Sequence, residues 1–230
     1  MTRAGSRTKG DTVSHHAAGS GEGAGEQPAR IVVATGNPGK LAEIRAILAA
    51  DHLDVELVAM SELGVDSPEE HGETFEANAL LKAHACAQAT GLPALADDSG
   101  LEVDALGGEP GVRSARYAGE PADDAANNAK LVAALSDVPA EQRTARFVCA
   151  AALVTPDGSE QVVRGTMEGR IVDEPRGDHG FGYDPHFVSE AIGNGRTNAE
   201  LTPSEKDAIS HRGAAFRALV PAVRRLLGGR

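Results

Sequence analysis

Ile31-Val32-Val33-Ala34-Thr35-Gly36-Asn37-Pro38-Gly39-Lys40 reads as the end of a strand, a turn and the first turn of a helix. The β-branched run favours extended chain. Pro38 suits a first helical turn, where the N–H it lacks would have no intrahelical partner. Beyond it Leu41, Ile44, Ile47 and Leu48 recur at helical spacing. Working outward, Val55 to Ala59 is a second strand, and an acidic loop follows through Ser67-Pro68-Glu69-Glu70-His71-Gly72. The alanine-rich segment from Glu73 to Thr90, with Phe75, Leu80, Leu81 and Cys86, predicts a helix that Gly91 stops. Leu92 to Ala96 predicts a third strand that delivers Asp97 and Asp98 at its carboxyl end, with extended chain again from Leu101 to Leu106.

Gly107-Gly108-Glu109-Pro110-Gly111 forces a turn, and Asp123 to Leu135 reads as a helix with an acidic start. Arg146 to Thr155 and Gln161 to about Ile171 are β-prone runs joined by Pro156-Asp157-Gly158, which predicts a hairpin. Thr202-Pro203-Ser204-Glu205 fits a capping box with proline at the first helical position. A last helix is expected from about His211 to Leu227, kinked at Pro221. Strands that alternate with helices and then form a hairpin predict an α/β protein whose sheet is mixed.

Residues 1–28 are rich in Gly, Ser, Thr and Ala and nearly free of large apolar side chains, so a disordered tail is expected there, including His15-His16 as a solvated pair. Residues 29–230 are expected to form a single domain. The chain of 230 residues carries 34 acidic and 22 basic side chains, a net charge of -12. That balance argues against non-specific binding to nucleic acid or to an anionic membrane surface. No apolar run approaches the roughly 18 residues of a membrane span, and the N-terminus lacks the apolar core of a signal peptide. A cytoplasmic protein is therefore expected, with Cys86 and Cys149 as buried free thiols.

Three sets of residues carry chemistry. The turn from Thr35 to Lys40 is a candidate phosphate site, because a helix N-terminus offers unpaired N–H groups and a favourable dipole to an anion. It is neither G-x-G-x-x-G nor a Walker loop. Glu69 or Glu70 with Asp97 or Asp98 could hold magnesium, which favours one or two carboxylates completed by water and substrate phosphates. Two adjacent carboxylates near a core raise each other's pKa unless a cation intervenes. Lys206 and His211-Arg212 supply positive or donor groups for phosphate oxygens, and Phe181 and Tyr183 could either stack on a base or plug a core edge.

The order and wording of six segments resemble the inosine triphosphate pyrophosphatase family, in particular its bacterial branch acting on dITP and XTP. They are Thr35-Gly36-Asn37-Pro38-Gly39-Lys40, Glu73-Thr74-Phe75-Glu76-Ala77-Asn78-Ala79, Ala96-Asp97-Asp98-Ser99-Gly100-Leu101, Gly111-Val112-Arg113-Ser114-Ala115-Arg116-Tyr117, Gly180-Phe181-Gly182-Tyr183-Asp184-Pro185 and Ser210-His211-Arg212. The likeness spans about Arg30 to Leu227. It implies an elongated mixed sheet flanked by helices, two lobes with a central cleft, and a homodimer. It implies hydrolysis of non-standard purine nucleoside triphosphates to monophosphate and pyrophosphate. Carried over residue by residue, it implies that Glu69 and Asp98 hold Mg2+ and that Asp98 accepts the proton of the attacking water. Thr35, Gly36, Asn37, Pro38, Gly39 and Lys40 would bind the triphosphate, and Ser99 would touch substrate. Phe181, Gly182, Tyr183 and Asp184 would line base and sugar, with Lys206, His211 and Arg212 completing the pocket. The alternatives are a diphosphatase for modified or pyrimidine nucleotides, separated by a substrate panel, and a non-catalytic nucleotide-binding protein.

Overall fold

The computed structural model describes residues 28–53 and 55–228. The tail expected over residues 1–28 lies, except for its last residue, outside the described residues. The expected strand and turn are β1 (Ala29–Val33) and the start of α1 (Pro38–Ala50). They are followed by β2 (Val55–Ala59) and α2 (Phe75–Thr90). Thr74 caps α2 by accepting from the Ala77 N–H, and Gly91 ends it with φ of 67°. Next come β3 (Ala94–Val103), α3 (Asp124–Ala134), the hairpin of β4 (Thr144–Val154) and β5 (Glu160–Ile171), and the short β6 (Phe187–Ser189). The capping box at Thr202 and Glu205 opens α4 (Pro203–Ile209), and α5 (His211–Gly228) runs on through Pro221.

The strands form one mixed sheet in the order β2-β1-β3-β4-β5-β6, parallel among β2, β1 and β3 and antiparallel from there on. One face packs Ile31, Val33 and Leu95 against α1 and α5, through residues such as Ile44, Leu48, Phe216 and Leu219. The other packs Val32, Ala94 and Ala96 against the small-residue face of α2, through Ala79, Ala83 and Cys86. Toward the far ends of β3, β4 and β5 a second core gathers Leu101, Val103, Met167 and Ile171 under Leu131 and Leu135 of α3 and under Phe187. These cores make the two lobes. Cys86 and Cys149 are buried free thiols.

One boundary departs from the sequence reading. Asp97 and Asp98 do not end a strand; they lie inside one of ten residues, because β4 pairs with β3 along its whole length, from Ala94–Val154 to Val103–Ala145. What ends near them is the other neighbour. β1 pairs only as far as Val33 with Leu95, so the edge of β3 beyond that point is open to side chains. Along it the Ser99 N–H donates to Asp98 Oδ1 at 3.1 Å and the Leu101 N–H donates to Ser114 Oγ at 2.8 Å, before Val103 N–H meets the Glu109 carbonyl. Gly100 is required here: a Cβ would stand 2.4 Å from the Gly111 carbonyl oxygen and 2.5 Å from Ser114 Oγ.

Candidate active site

A cavity of about 440 Å³ opens where β1 leaves β3. Because side chains alternate along a strand, Asp97 and Asp98 project to opposite faces of the sheet. The open edge brings the groups around both of them into reach of one cleft.

On the α2 side Asp98 lines the cavity. Its Oδ2 accepts from Asn78 Nδ2 at 3.0 Å, and Lys82 Nζ lies 3.5 Å from its Oδ1. Lys82 also donates to Glu70 Oε1 at 2.6 Å, so one buried ammonium spans two carboxylates. Burial pushes the Asp98 carboxyl above the ordinary carboxylate range, and Glu70 adds to this against the opposing pull of Lys82 and Lys40. Glu69 is exposed on the same cavity wall.

On the α1 and α5 side Asp97 is fully enclosed behind the cavity. Its Oδ2 takes bonds from Ser99 Oγ (2.6 Å) and from Nε and Nη2 of Arg212 (3.2 and 3.1 Å), and Lys40 Nζ stands 3.1 Å away. Burial alone would raise its pKa, but Lys40, Arg212 and Lys82 outweigh that and hold the carboxyl well below its usual range. The repulsion expected between adjacent carboxylates is thus met by cations already in the protein. Arg212 is itself gripped by Glu43, Asp97 and Ser99 Oγ. Glu43 also accepts from Lys206 Nζ at 2.9 Å, and Lys206 donates to Asp184 Oδ2 at 2.6 Å. A buried chain of alternating charge therefore runs Lys40–Asp97–Arg212–Glu43–Lys206–Asp184.

In the turn before α1, Asn37 Oδ1 accepts from the Gly39 and Lys40 N–H groups at 2.8 and 3.1 Å, and the Asn37 N–H donates to Thr35 Oγ1. Thr35, Gly36, Asn37 and Lys40 line the cavity, whereas Pro38 and Gly39 lie outside its lining. Gly39 has another use: a Cβ there would be 2.9 Å from the Phe181 ring. Phe181 lies beside the cations, with Lys206 Nζ 5.0 Å from its centroid. Its loop is pinned by Gly182 N–H to Asp124 Oδ2 (2.8 Å), Asn128 Nδ2 to the Gly182 carbonyl (2.9 Å) and Phe181 N–H to Asp184 Oδ2 (3.0 Å).

The two aromatic candidates part company. Phe181 is half-buried on the cavity, while Tyr183 also reaches its lining but is buried against the far core, its hydroxyl donating to the Ser114 carbonyl at 2.8 Å. Ser99, Gly182, Asp184, Lys206, His211 and Arg212 also reach the lining. The His211 ring stacks on Phe147 with centroids 4.9 Å apart, and its buried Nδ1 has no hydrogen-bond partner among the described residues. Burial, then Arg212 and Lys206, drive its pKa well below 6.5, so the ring is neutral.

Sequence reasoning gave no role to Glu43, Asn78 or Lys82. Glu43 lies three residues after Lys40, on the same side of α1. Asn78 and Lys82 are four apart and buried on a helix face otherwise made of alanine, phenylalanine and cysteine. A lysine on such a face is the signal that was there to read.

Oxygen donors suited to magnesium are present on the wall in Asp98 and Glu69. Among the described residues no cluster of three or more His, Cys, Asp or Glu could enclose a metal ion. That donor set fits an ion whose remaining positions are filled by water and phosphate oxygens, the usual situation for magnesium.

Residues 31–222 match the model of the Ham1 family. The chain is similar to a dITP/XTP pyrophosphatase of Frankia alni, 57% identical over 203 residues that cover 86% of this chain and 98% of that protein. Among solved structures it is similar to a HAM1 protein from Coxiella burnetii, with a TM-score of 0.77 at 44% identity over 86% of this chain and 99% of that one. It is also similar to a nucleoside-triphosphatase / dITP/XTP pyrophosphatase from Mycobacterium abscessus, with a TM-score of 0.66 at 54% identity over 84% and 99% of the two chains.

Proposed function

The chain belongs to the Ham1 family, and from that membership we propose that it is a nucleoside-triphosphate pyrophosphatase that hydrolyses dITP, ITP and XTP to the monophosphate and pyrophosphate. Its relatives over nearly their whole length are dITP/XTP pyrophosphatases. The single observation that carries the assignment of roles is Asp98, a buried carboxylate oriented by Asn78 and the Ser99 N–H on the wall of a cavity that it shares with the turn that begins α1.

Asp98 takes the proton of the attacking water. Burial raises its pKa and makes it a better base than an exposed aspartate. Asn78 and the Ser99 N–H fix its two oxygens, so the water is held at one angle. Lys40, at the start of α1, faces the phosphates, and Thr35 offers its hydroxyl. Glu69 and Asp98 would hold Mg2+, which supplies charge neutralisation and orientation of the phosphates when bound. Phe181 offers a ring face to the base. Lys206 and His211, both in the cavity lining, are polar groups suited to the keto oxygen that separates hypoxanthine and xanthine from adenine. A donor left unpaired by a six-amino group is costly, which gives the discrimination.

A pyrophosphate-release assay across dITP, XTP, ITP, GTP, ATP and pyrimidine triphosphates, with and without magnesium, tests this reading. Release of pyrophosphate from dITP and XTP that needs the metal is expected; equal turnover of ATP overturns the purine selectivity. We also propose a homodimer acting in the cytoplasm, with light scattering of the purified chain as the check on the dimer. No helix among the described residues is long and apolar enough to cross a membrane.

A further inference from the structure

Five permanently or normally charged cations line the cavity: Lys40, Lys82, Arg116, Lys206 and Arg212. Four of them are already neutralised by carboxylates in the wall. Lys40 and Arg212 pair with Asp97, Arg212 and Lys206 share Glu43, Lys206 reaches Asp184, and Lys82 spans Glu70 and Asp98. Their side chains are at most 15% exposed, and taking one away from its partner leaves a buried charge uncompensated.

Arg116 is different. It is the last residue of the turn of 3-10 helix that carries Ser114, and its side chain is 41% exposed. Its Nη2 donates to the main-chain carbonyl of Glu70 at 3.3 Å, and its Nη1 lies 3.6 Å from Glu120, whose side chain is 70% exposed. A contact to a neutral carbonyl and a solvated ion pair are both weak and readily exchanged. The bond to Glu70 also fixes which end of the cavity Arg116 occupies. It stands beside the acidic loop with Glu69 and Glu70, the loop read above as a metal ligand, while the ring of Phe181, the candidate base platform, lies with Lys206 and Arg212.

We propose that Arg116 is a triphosphate-binding residue that exchanges the Glu70 carbonyl and Glu120 for the terminal phosphate oxygens of the substrate. A triphosphate brings about four negative charges into a cavity whose enclosed cations are already matched, and a guanidinium grips phosphate oxygens in a two-pronged fashion. Leaving the Glu70 carbonyl, Arg116 would release the acidic loop as the nucleotide enters. The inference rests on the nucleotide reading above and adds a contact to it.

The test uses the full chain and compares binding of a non-hydrolysable α,β-methylene analogue of ITP with binding of IMP, by calorimetry in the presence of magnesium, alongside thermal melts. Arg116→Ala is expected to weaken the triphosphate analogue about tenfold or more while leaving IMP affinity within about twofold. Arg116→Lys is expected to recover part of the loss, since it restores the charge without the fork. Glu120→Ala, which removes the competing carboxylate, is expected not to weaken the analogue. Equal losses for the analogue and IMP, or no loss in Arg116→Ala while the wild type binds normally, overturn this inference and leave the functional reading standing. A wild-type chain that neither binds the analogue nor releases pyrophosphate from dITP overturns the functional reading, and this inference with it.

Discussion

Asp97 and Asp98 are neighbours in sequence with separate tasks: Arg212 and Lys40 engage Asp97 on one face of β3, and Asn78 and Lys82 approach Asp98 on the other. Only Asp98 lines the cavity. The two should therefore respond differently to the same substitution. Asp98→Asn keeps the shape, and its carbonyl oxygen can still accept from Asn78, so the melting temperature should move little. Turnover of dITP should fall by about 100-fold to 10,000-fold, the usual contribution of a positioned general base. Steady-state pyrophosphate release measures this; retained turnover removes Asp98 from the mechanism.

Asp97→Asn should instead cost stability. It withdraws the carboxylate that compensates Lys40 and shares Arg212 with Glu43, leaving positive charge buried with fewer partners. Breaking a buried pair in this way costs about 3–5 kcal/mol. Denaturant unfolding should show that loss. A midpoint unchanged from wild type would mean that Glu43 alone suffices to hold the cations.

How the site was legible follows from these two residues. The motif around Asp98, the capped turn at Asn37 and the alternation of helices and strands are local patterns, and they appear where local rules place them. The end of β3 was misjudged because a strand's length is set by its partner, and β4 lies about fifty residues downstream of β3 in the chain, where no local rule reaches. In the sequence Asp97 and Asp98 stand as interchangeable candidates for the metal because they are adjacent; pleating puts them on opposite faces. Glu43 was invisible for a related reason. Its partners Lys206 and Arg212 lie over 160 residues away, and nothing local marks an acidic residue on α1 as buried. Tyr183 and Phe181 look alike among glycines and both reach the cavity, and only the packing of the far core separates the anchored ring from the half-buried one.

Gly100→Ala tests the contact between β3 and the segment after Gly107. The added methyl would stand 2.4 Å from the Gly111 carbonyl oxygen, 2.5 Å from Ser114 Oγ and 2.9 Å from the Phe75 ring, so backbone must shift. Ser114 holds the Leu101 N–H, and its own carbonyl receives the Tyr183 hydroxyl, so the displacement would spread to the loop bearing Phe181. A loss of about 1–3 kcal/mol in unfolding free energy is expected, as for overpacking elsewhere. A raised KM for dITP should accompany it. A variant as stable and active as wild type would show that this segment gives way without cost.

His211 predicts a specific pH dependence of stability. Its ring is enclosed against Phe147, and burial together with Arg212 and Lys206 holds its pKa well below the ordinary 6.5. Below 6.5 the unfolded chain takes up a proton at this position that the folded protein refuses. The unfolded state then binds more protons, so stability falls as pH drops, by up to about 1.4 kcal/mol per pH unit, until the folded-state pKa is reached. Above 6.5 the ring contributes no slope. The buried carboxylates Asp97 and Glu43, both held below their ordinary values of 3.8 and 4.5, begin to add their own losses only in stronger acid. Asp98 and Asp207, whose pKa values burial raises, act with the opposite sign, so the histidine is isolated by comparing denaturant unfolding of wild type and variant at intervals from pH 7.5 to 5. His211→Gln, which retains a polar side chain without the titration, should remove about one proton's worth of slope between pH 6.5 and 5, whatever it does to stability at pH 7.5. An unchanged slope in the variant would mean that His211 is protonated in the folded protein, and its proposed role as a neutral partner for the base would fall with it.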